Sequence, residues 1–305
     1  MKIIELTQRT PAWKKYRESK IMASDSAAIL GCDEYKSSYQ VFLDKIGMGK
    51  EVLINSDMER GILLEDEGRK LLEEKLSAEF IPKVAESEIH SWLAASLDGY
   101  YEWNIEVDEN THMSRHEGTW ICEIKCPRES GFNKAKQGFI SDRHVVQVQH
   151  QLLVTDADLC FFANYFDGEL AIIEVRPDAD IQQRIITETK EFWEKHVLGY
   201  EAPPLGKGDY IDKTNDYEFN EWSTRWTENQ MQKALIEERE KYLRAEGLAL
   251  ANNQNVRGFG LEISHTPRKG LIDYKHQDVV AALSALDLEN YRKPTTMVST
   301  IRIKK

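Results

Sequence analysis

Along residues 1–200 the hydrophobic period changes in an order that few folds accommodate: helices, then strands, then a helix, a strand pair and a helix. Thr10-Pro11 opens a helix through Trp13 and Arg17, with Pro11 tolerated in the first turn. Ser24 reads as the N-cap of Asp25–Leu30, which Gly31 stops. Ser38 reads as the cap of a helix carrying Val41, Phe42 and Ile46. Met58, Ile62, Leu63, Leu71, Leu72 and Leu76 form a helical stripe over Asp57–Leu76. Short strands follow at Phe80–Pro82, Ala85–Ile89 and Trp92–Leu97, with a turn at Asp98-Gly99. Alternation resumes over Tyr101–Val107, Asp108–Gly118 reads as a polar loop, and Thr119–Lys125 is a strand ended by Pro127. Val145–Val154 reads as a buried helix. Leu159–Phe166 and Leu170–Val175 read as a hairpin turning at Asp167-Gly168, and Asp178–Leu198 as a long helix. This order predicts an α/β or α+β fold for residues 1–200.

The second part differs. Glu201–Lys213, with Pro203, Pro204, Gly206 and Gly208, is the best linker. The expected division is a first domain over 1–200, a linker over 201–227 and an extension over 228–305. The extension should hold a helix near Glu228–Ala251, with a narrow seam of Met231, Leu235, Tyr242 and Leu248, and then a small β-rich module. The chain of 305 residues has a net charge of -12. Residues 257–305 carry nine Lys/Arg against five Asp/Glu, a net of +4, which leaves -16 on the remainder. An acidic balance argues against a general polyanion binder, yet leaves room for one basic cleft or an acidic metal site. No apolar run approaches the 18 residues of a membrane-spanning helix. Met1–Pro11 lacks the layout of a signal peptide. The cysteines, Cys32, Cys122, Cys126 and Cys160, form no CxxC pair, so a structural zinc site is not expected. These features predict a cytosolic protein with reduced thiols.

The chemistry centres on Asp98-Gly99 and Glu123-Ile124-Lys125. Side chains alternate along a strand, so Glu123 and Lys125 share one face. With Asp98 delivered from another strand, two carboxylates would meet in one cleft, a donor set for a hard cation such as Mg²⁺. Alone, the two fragments also fit a bland reading, an ordinary Asp-Gly turn and a solvated ion pair.

Further fragments narrow the choice. Trp13-Lys14-Lys15-Tyr16-Arg17, Ile21-Met22-Ala23-Ser24-Asp25, and Gly61 with Glu65 precede Ser96-Leu97-Asp98-Gly99. Glu123-Ile124-Lys125-Cys126-Pro127, Gln147-Val148-Gln149-His150-Gln151 and Phe161-Phe162-Ala163-Asn164-Tyr165 follow. Over about residues 8–195 the sequence resembles the phage lambda-type exonucleases, or YqaJ-type viral recombinases, of the PD-(D/E)XK nuclease superfamily. The resemblance implies a central mixed sheet flanked by helices. It implies that Asp98, Glu123 and the Ile124 carbonyl bind metal, that Lys125 is the catalytic lysine, and that Glu65 reaches a second metal. It implies that Gln147 leans onto the site, and that Arg17 and Ser24 receive a DNA 5′-phosphate. Arg17 is physically suited, since a guanidinium forks onto phosphate oxygens. Gln149 and Gln151 receive no role, and Trp13, Cys126 and His150 read as structural. The separation of Asp98 from Glu123 is longer than the family pattern, and Asp108–Gly118 would absorb the excess.

The expected activity is a Mg²⁺-dependent, with Mn²⁺ able to substitute, 5′→3′ exonuclease on linear double-stranded DNA. It would leave 3′ strands for a single-strand annealing protein. The resemblance implies a ring trimer and a phage or prophage origin. Two rivals remain at this point: a RecB- or CRISPR-associated-type nuclease with a four-cysteine iron–sulfur cluster, and a catalytically silent DNA-binding or assembly protein. The C-terminal pattern Arg268-Lys269-Gly270, Asp273-Tyr274-Lys275, Tyr291-Arg292-Lys293-Pro294 is one that phage relatives sometimes carry. It suits backbone contact or subunit docking equally.

Overall fold

The strand around Glu123 shows how the architecture arises. Ile121 faces a cluster with Leu97, Val148, Leu152 and Phe162. Its neighbours Cys122 and Ile124 face the other way, onto Leu72, Phe80 and Phe161. A strand whose apolar residues serve both faces must lie inside a sheet covered on both sides. Each large side chain so buried contributes roughly 1.5–3 kcal/mol.

The computed structural model describes residues 1–50, 54–105, 116–267, 270, 273 and 275–284. Its elements are β1 (Lys2–Ile4), α1 (Pro11–Glu18), β2 (Ile21–Met22), α2 (Ala23–Ile29), α3 (Ser38–Lys45) and α4 (Ser56–Leu76). Then come β3 (Ile81–Glu86), β4 (Leu93–Ile105), β5 (His116–Lys125), α5 (Glu129–Lys136) and α6 (Asp142–Thr155). The hairpin β6 (Leu159–Phe166) and β7 (Glu169–Val175) precedes α7 (Ala179–Glu191), which runs on as a π-helical turn over Phe192–Leu198. The sheet order is β1-β3-β4-β5-β6-β7, with β2 parallel to the start of β4. It is mixed: β5 and β6 run parallel, the other neighbours on this path antiparallel. Such a sheet flanked by helices is the expected fold.

On one side of β4 the pairing is split. β2 pairs with Leu93 and Ala94, and β5 pairs only from Gly99 onward. Among the described residues no strand pairs with that side of β4 between Ala94 and Gly99, and the cleft opens there.

Several local expectations need correction. Asp98-Gly99 is not a turn but the middle of the continuous strand β4. Gly99 is there for space: a Cβ would lie 2.5 Å from Phe80 Cβ and 2.6 Å from Cys122 Sγ. Ser24 does not cap α2; the cap is Met22, whose N–H donates to the Asp25 carboxylate at 3.1 Å. Ser37, not Ser38, caps α3. Residues 108–115 of the expected loop lie outside the described residues, and β5 already begins at His116.

The chain divides into two compact units, Met1–Ile211 and Asp212–Lys305. The expected linker is therefore not one. Its first part belongs to the first unit, where Pro203 is buried and the Ser37 hydroxyl donates to Asp209 at 2.7 Å. Its last part is helical: α8 spans Tyr217–Ala251, capped by Asp216, whose side chain accepts from the Phe219 N–H. The second unit also holds the hairpin β8 (Val256–Gly258) and β9 (Leu261–Ile263), and α9 (Gln277–Ser284), so it is more helical than the sequence suggested. Of the basic groups in the tail, Arg268-Lys269 and Tyr291–Pro294 lie outside the described residues. Among the described residues no helix is long and apolar enough to cross a membrane.

Candidate functional site

Asp98 and Glu123 stand one step beyond Gly99 and Cys122, where β4 and β5 stop pairing with each other. Where the ladder stops, the Ile124 N–H donates to the Asp98 carboxylate instead, at 2.8 Å. Glu123 is only 3% exposed. Its carboxylate accepts from Lys125 Nζ at 2.5 Å, from Gln147 Nε2 at 2.6 Å and from Gln151 Nε2 at 2.5 Å. A buried carboxylate is tolerable when charged and polar donors fill its acceptor positions. Gln147 and Gln151 come from one face of α6, four residues apart. Gln151 was given no role from sequence, although that spacing was its signal.

α6 is fixed from its other sides. His150 is fully buried, its Nδ1 2.6 Å from the Ser26 hydroxyl and its Nε2 3.0 Å from the Ala94 carbonyl. Burial pushes its pKa down to about 4, so it is a neutral, structural imidazole, as expected. Gln149 donates to the Arg176 carbonyl at 2.8 Å and accepts from the Asp178 N–H at 2.9 Å.

Arg17 and Ser24 meet in the same cavity, of about 190 Å³, lined also by Arg9, Trp13, Asp98, Glu123 and Gln147. The Arg17 guanidinium donates to the Ser24 hydroxyl at 3.0 Å and lies 4.6 Å above the Trp13 ring. Trp13 in turn donates from Nε1 to the Ser96 hydroxyl at 2.9 Å, so it is more than packing. Beneath them Asp25 is buried and accepts from Lys45 at 2.6 Å and Lys36 at 3.0 Å. Lys45 also donates to the Arg17 carbonyl at 2.7 Å. Burial would raise the Asp25 carboxyl, but Lys45, Lys36 and Arg17 outweigh it and hold it far below the carboxylate range. No sequence pattern marked this brace.

The electrostatics are those of a crowded acidic cleft. Desolvation, then Glu123, then Glu65 push the Asp98 carboxyl well above its ordinary value. Burial opposes the Lys125 charge, but Glu123 and Asp98 outweigh it and raise its pKa, so Lys125 is an ammonium. Glu65 is bound to Arg9 at 2.5 Å, a partner that sequence reading missed and that a lone loop arginine does not advertise. Among the described residues no three acidic, histidine or cysteine side chains converge closely enough to hold a metal ion as they stand. Asp98 and Glu123 nevertheless fit a hard cation such as Mg²⁺. Both are oxygen donors, Asp98 crowded by neighbouring carboxylates, and Mg²⁺ commonly takes one or two carboxylates and keeps its waters. The cysteines are dispersed: Cys122 and Cys160 are buried in β5 and β6, without the gathering that a four-cysteine cluster needs. Burial raises the Cys126 thiol to about 11, which rules it out as a ready nucleophile.

Residues 12–158 match the YqaJ-like viral recombinase domain family. The chain is similar to the uncharacterised protein YqaJ of Bacillus subtilis, 26% identical over 200 residues, covering 63% of this chain and 58% of that protein. It is similar to protein D345L of African swine fever virus, 23% identical over 159 residues, covering 48% and 46%. It thus spans about half the length of these relatives. Among solved structures it resembles the alkaline exonuclease LHK-Exo of Laribacter hongkongensis, with a TM-score of 0.51 and 22% identity over 62% of this chain and 94% of that one. This likeness establishes the PD-(D/E)XK-like fold.

Proposed function

We propose, from the match of residues 12–158 to the YqaJ-like viral recombinase domain family, that this chain is a divalent-cation-dependent deoxyribonuclease that removes nucleotides from the 5′ ends of linear double-stranded DNA. The observation that carries this reading is one cavity holding both Arg17 with Ser24 and Asp98 with Glu123. A terminal phosphate held by the first pair would lay the adjoining phosphodiester toward the second. Arg17 supplies a forked donor braced by Trp13 and by the Lys45–Asp25 pair. Asp98 and Glu123 would hold Mg²⁺, or Mn²⁺ in its place, which supplies positive charge to the phosphodiester. Glu65 would join them on leaving Arg9. Gln147 and Gln151 keep Glu123 aimed. Lys125, bonded to Glu123 at 2.5 Å, would orient the attacking water and balance charge at the reacting phosphate. The 3′ strands left behind suit a single-strand annealing protein in phage-type recombination, and a ring of subunits is part of the same proposal.

The test is digestion of linear duplex carrying different labels at its 5′ and 3′ ends, with and without Mg²⁺. The expected result is Mg²⁺-dependent release of the 5′ label, lost in Asp98→Ala and Glu123→Ala while the fold is kept. Release from the 3′ label first, or cleavage by either variant at the wild-type rate, overturns the reading.

A further inference from the structure

Arg9 is the charged residue of the cleft that the proposed chemistry does not use. It follows Gln8, whose side chain donates to the Leu97 carbonyl at 2.9 Å, next to Asp98. It precedes Thr10, whose hydroxyl donates to the Thr7 carbonyl at 2.8 Å and accepts from the Trp13 N–H at 3.3 Å. Both flanks are thus pinned, and Arg9 itself has a left-handed backbone, φ 69°. A non-glycine residue stays in that region only where its surroundings impose it. The fold therefore aims this side chain into the cavity that also holds Arg17, Ser24, Asp98 and Glu123.

The guanidinium donates to Glu65 at 2.5 Å, and Glu65 is close enough to Asp98 to raise its carboxyl. Arg9 thus neutralises the third carboxylate of the acidic group and draws it aside. Its side chain is 48% exposed, so the head group is free to re-aim. An exposed ion pair is weak, whereas a guanidinium forked onto a phosphate forms two parallel charge-assisted bonds.

We propose that Arg9 exchanges Glu65 for a DNA phosphate: a divalent cation that engages Glu65 releases the guanidinium, which then grips the backbone phosphate lying between Arg17 and the Asp98–Glu123 pair. The proposal rests on the nuclease reading above. Cation and DNA are thereby coupled, because each favours the same rearrangement.

Two binding measurements test it without turnover. Mn²⁺ is titrated into the protein alone by calorimetry, and a fluorescent 5′-phosphorylated duplex is titrated in Ca²⁺ and in EDTA. Arg9→Ala should bind Mn²⁺ more tightly, because Glu65 is free, and bind duplex in Ca²⁺ roughly ten- to a hundredfold more weakly. Arg9→Lys should restore the Mn²⁺ affinity through its charge but not the duplex affinity, which needs the fork. Glu65→Gln should tighten duplex binding in EDTA, and adding Arg9→Ala should abolish that gain. Unchanged affinities in Arg9→Ala, or weaker Mn²⁺ binding, overturn the exchange while leaving the nuclease reading intact. A wild-type protein that binds neither Mn²⁺ nor duplex overturns both.

Discussion

Glu123 has almost no freedom: Lys125, Gln147 and Gln151 fix both its oxygens, and 3% exposure leaves water little share. Gln151→Met tests how much of that aim is needed. It keeps the side-chain length but removes one donor to a charged acceptor, worth about 1.5–3 kcal/mol. Nucleotide release should fall roughly ten- to a hundredfold. Stability should fall as well, by less than that amount, because the variant also removes Gln151 Oε1, a buried acceptor without a partner. A variant with an unaltered initial rate would show that Gln147 and Lys125 suffice. Asp25 makes the opposite case. Asp25→Asn strips the buried Lys45 of its counter-charge, and breaking such a pair costs about 3–5 kcal/mol. Urea denaturation should show that loss, and an unchanged midpoint would mean that the Arg17 carbonyl alone satisfies Lys45. These two residues also mark what could be read in advance. Strand alternation, a local rule, put Glu123 and Lys125 on one face, whereas the roles of Asp98 and Gln147 rested on the family resemblance. Lys45 and Arg9 were not legible, since their partners lie 20 and 56 residues away and no periodicity links them.

At the scale of elements, α6 ties the acid stability of the fold to His150. Its pKa of about 4 lies below the roughly 6.5 of an unfolded histidine. Between those values the unfolded chain takes up a proton that the folded chain refuses. Stability is therefore full above about pH 6.5 and falls on acidification by roughly 1.4 kcal/mol per pH unit until about pH 4. His144, pushed down to about 3 by burial and by the Lys125 and Arg143 charges, adds a loss of the same sign. Urea midpoints taken from pH 7.5 to 4.5 should show this slope, and His150→Gln should flatten it. If the variant keeps the wild-type slope, other groups set the acid limit. The elements themselves were mostly visible in the sequence, as at Leu159–Phe166, whose run and hairpin match β6 and its turn. The misreading at Asp98-Gly99 has a physical cause. A glycine after an aspartate signals a turn, but here it makes room for Phe80 and Cys122, a tertiary contact that no local rule sees.

For the molecule as a whole, the division after Ile211 replaces the expected one at residue 200. A chain ending at Ile211 should fold and release nucleotides from duplex ends as the full chain does. A chain ending at Leu198 should melt lower, because it loses the Asp209 contact that steadies the start of α3. If the 1–211 chain aggregates, the first unit does not fold on its own. The salt dependence of duplex binding then reports on the tail, each lost phosphate contact lowering the slope by about 0.9. One last consequence concerns how such a protein can vary. Residues 147–151 of α6 serve the carboxylate, the core, the α7 approach and the α2 packing in turn, with little slack between them. Inserting or deleting one residue upstream of Gln147 within α6 would turn this array by roughly 100° and misdirect all of its contacts at once. In a library of single-residue indels, α6 should be nearly barren of survivors, while the exposed Asp167-Gly168 bend should tolerate them. Lineages of this fold are thus free to lengthen at their loops and frozen in frame along one helix.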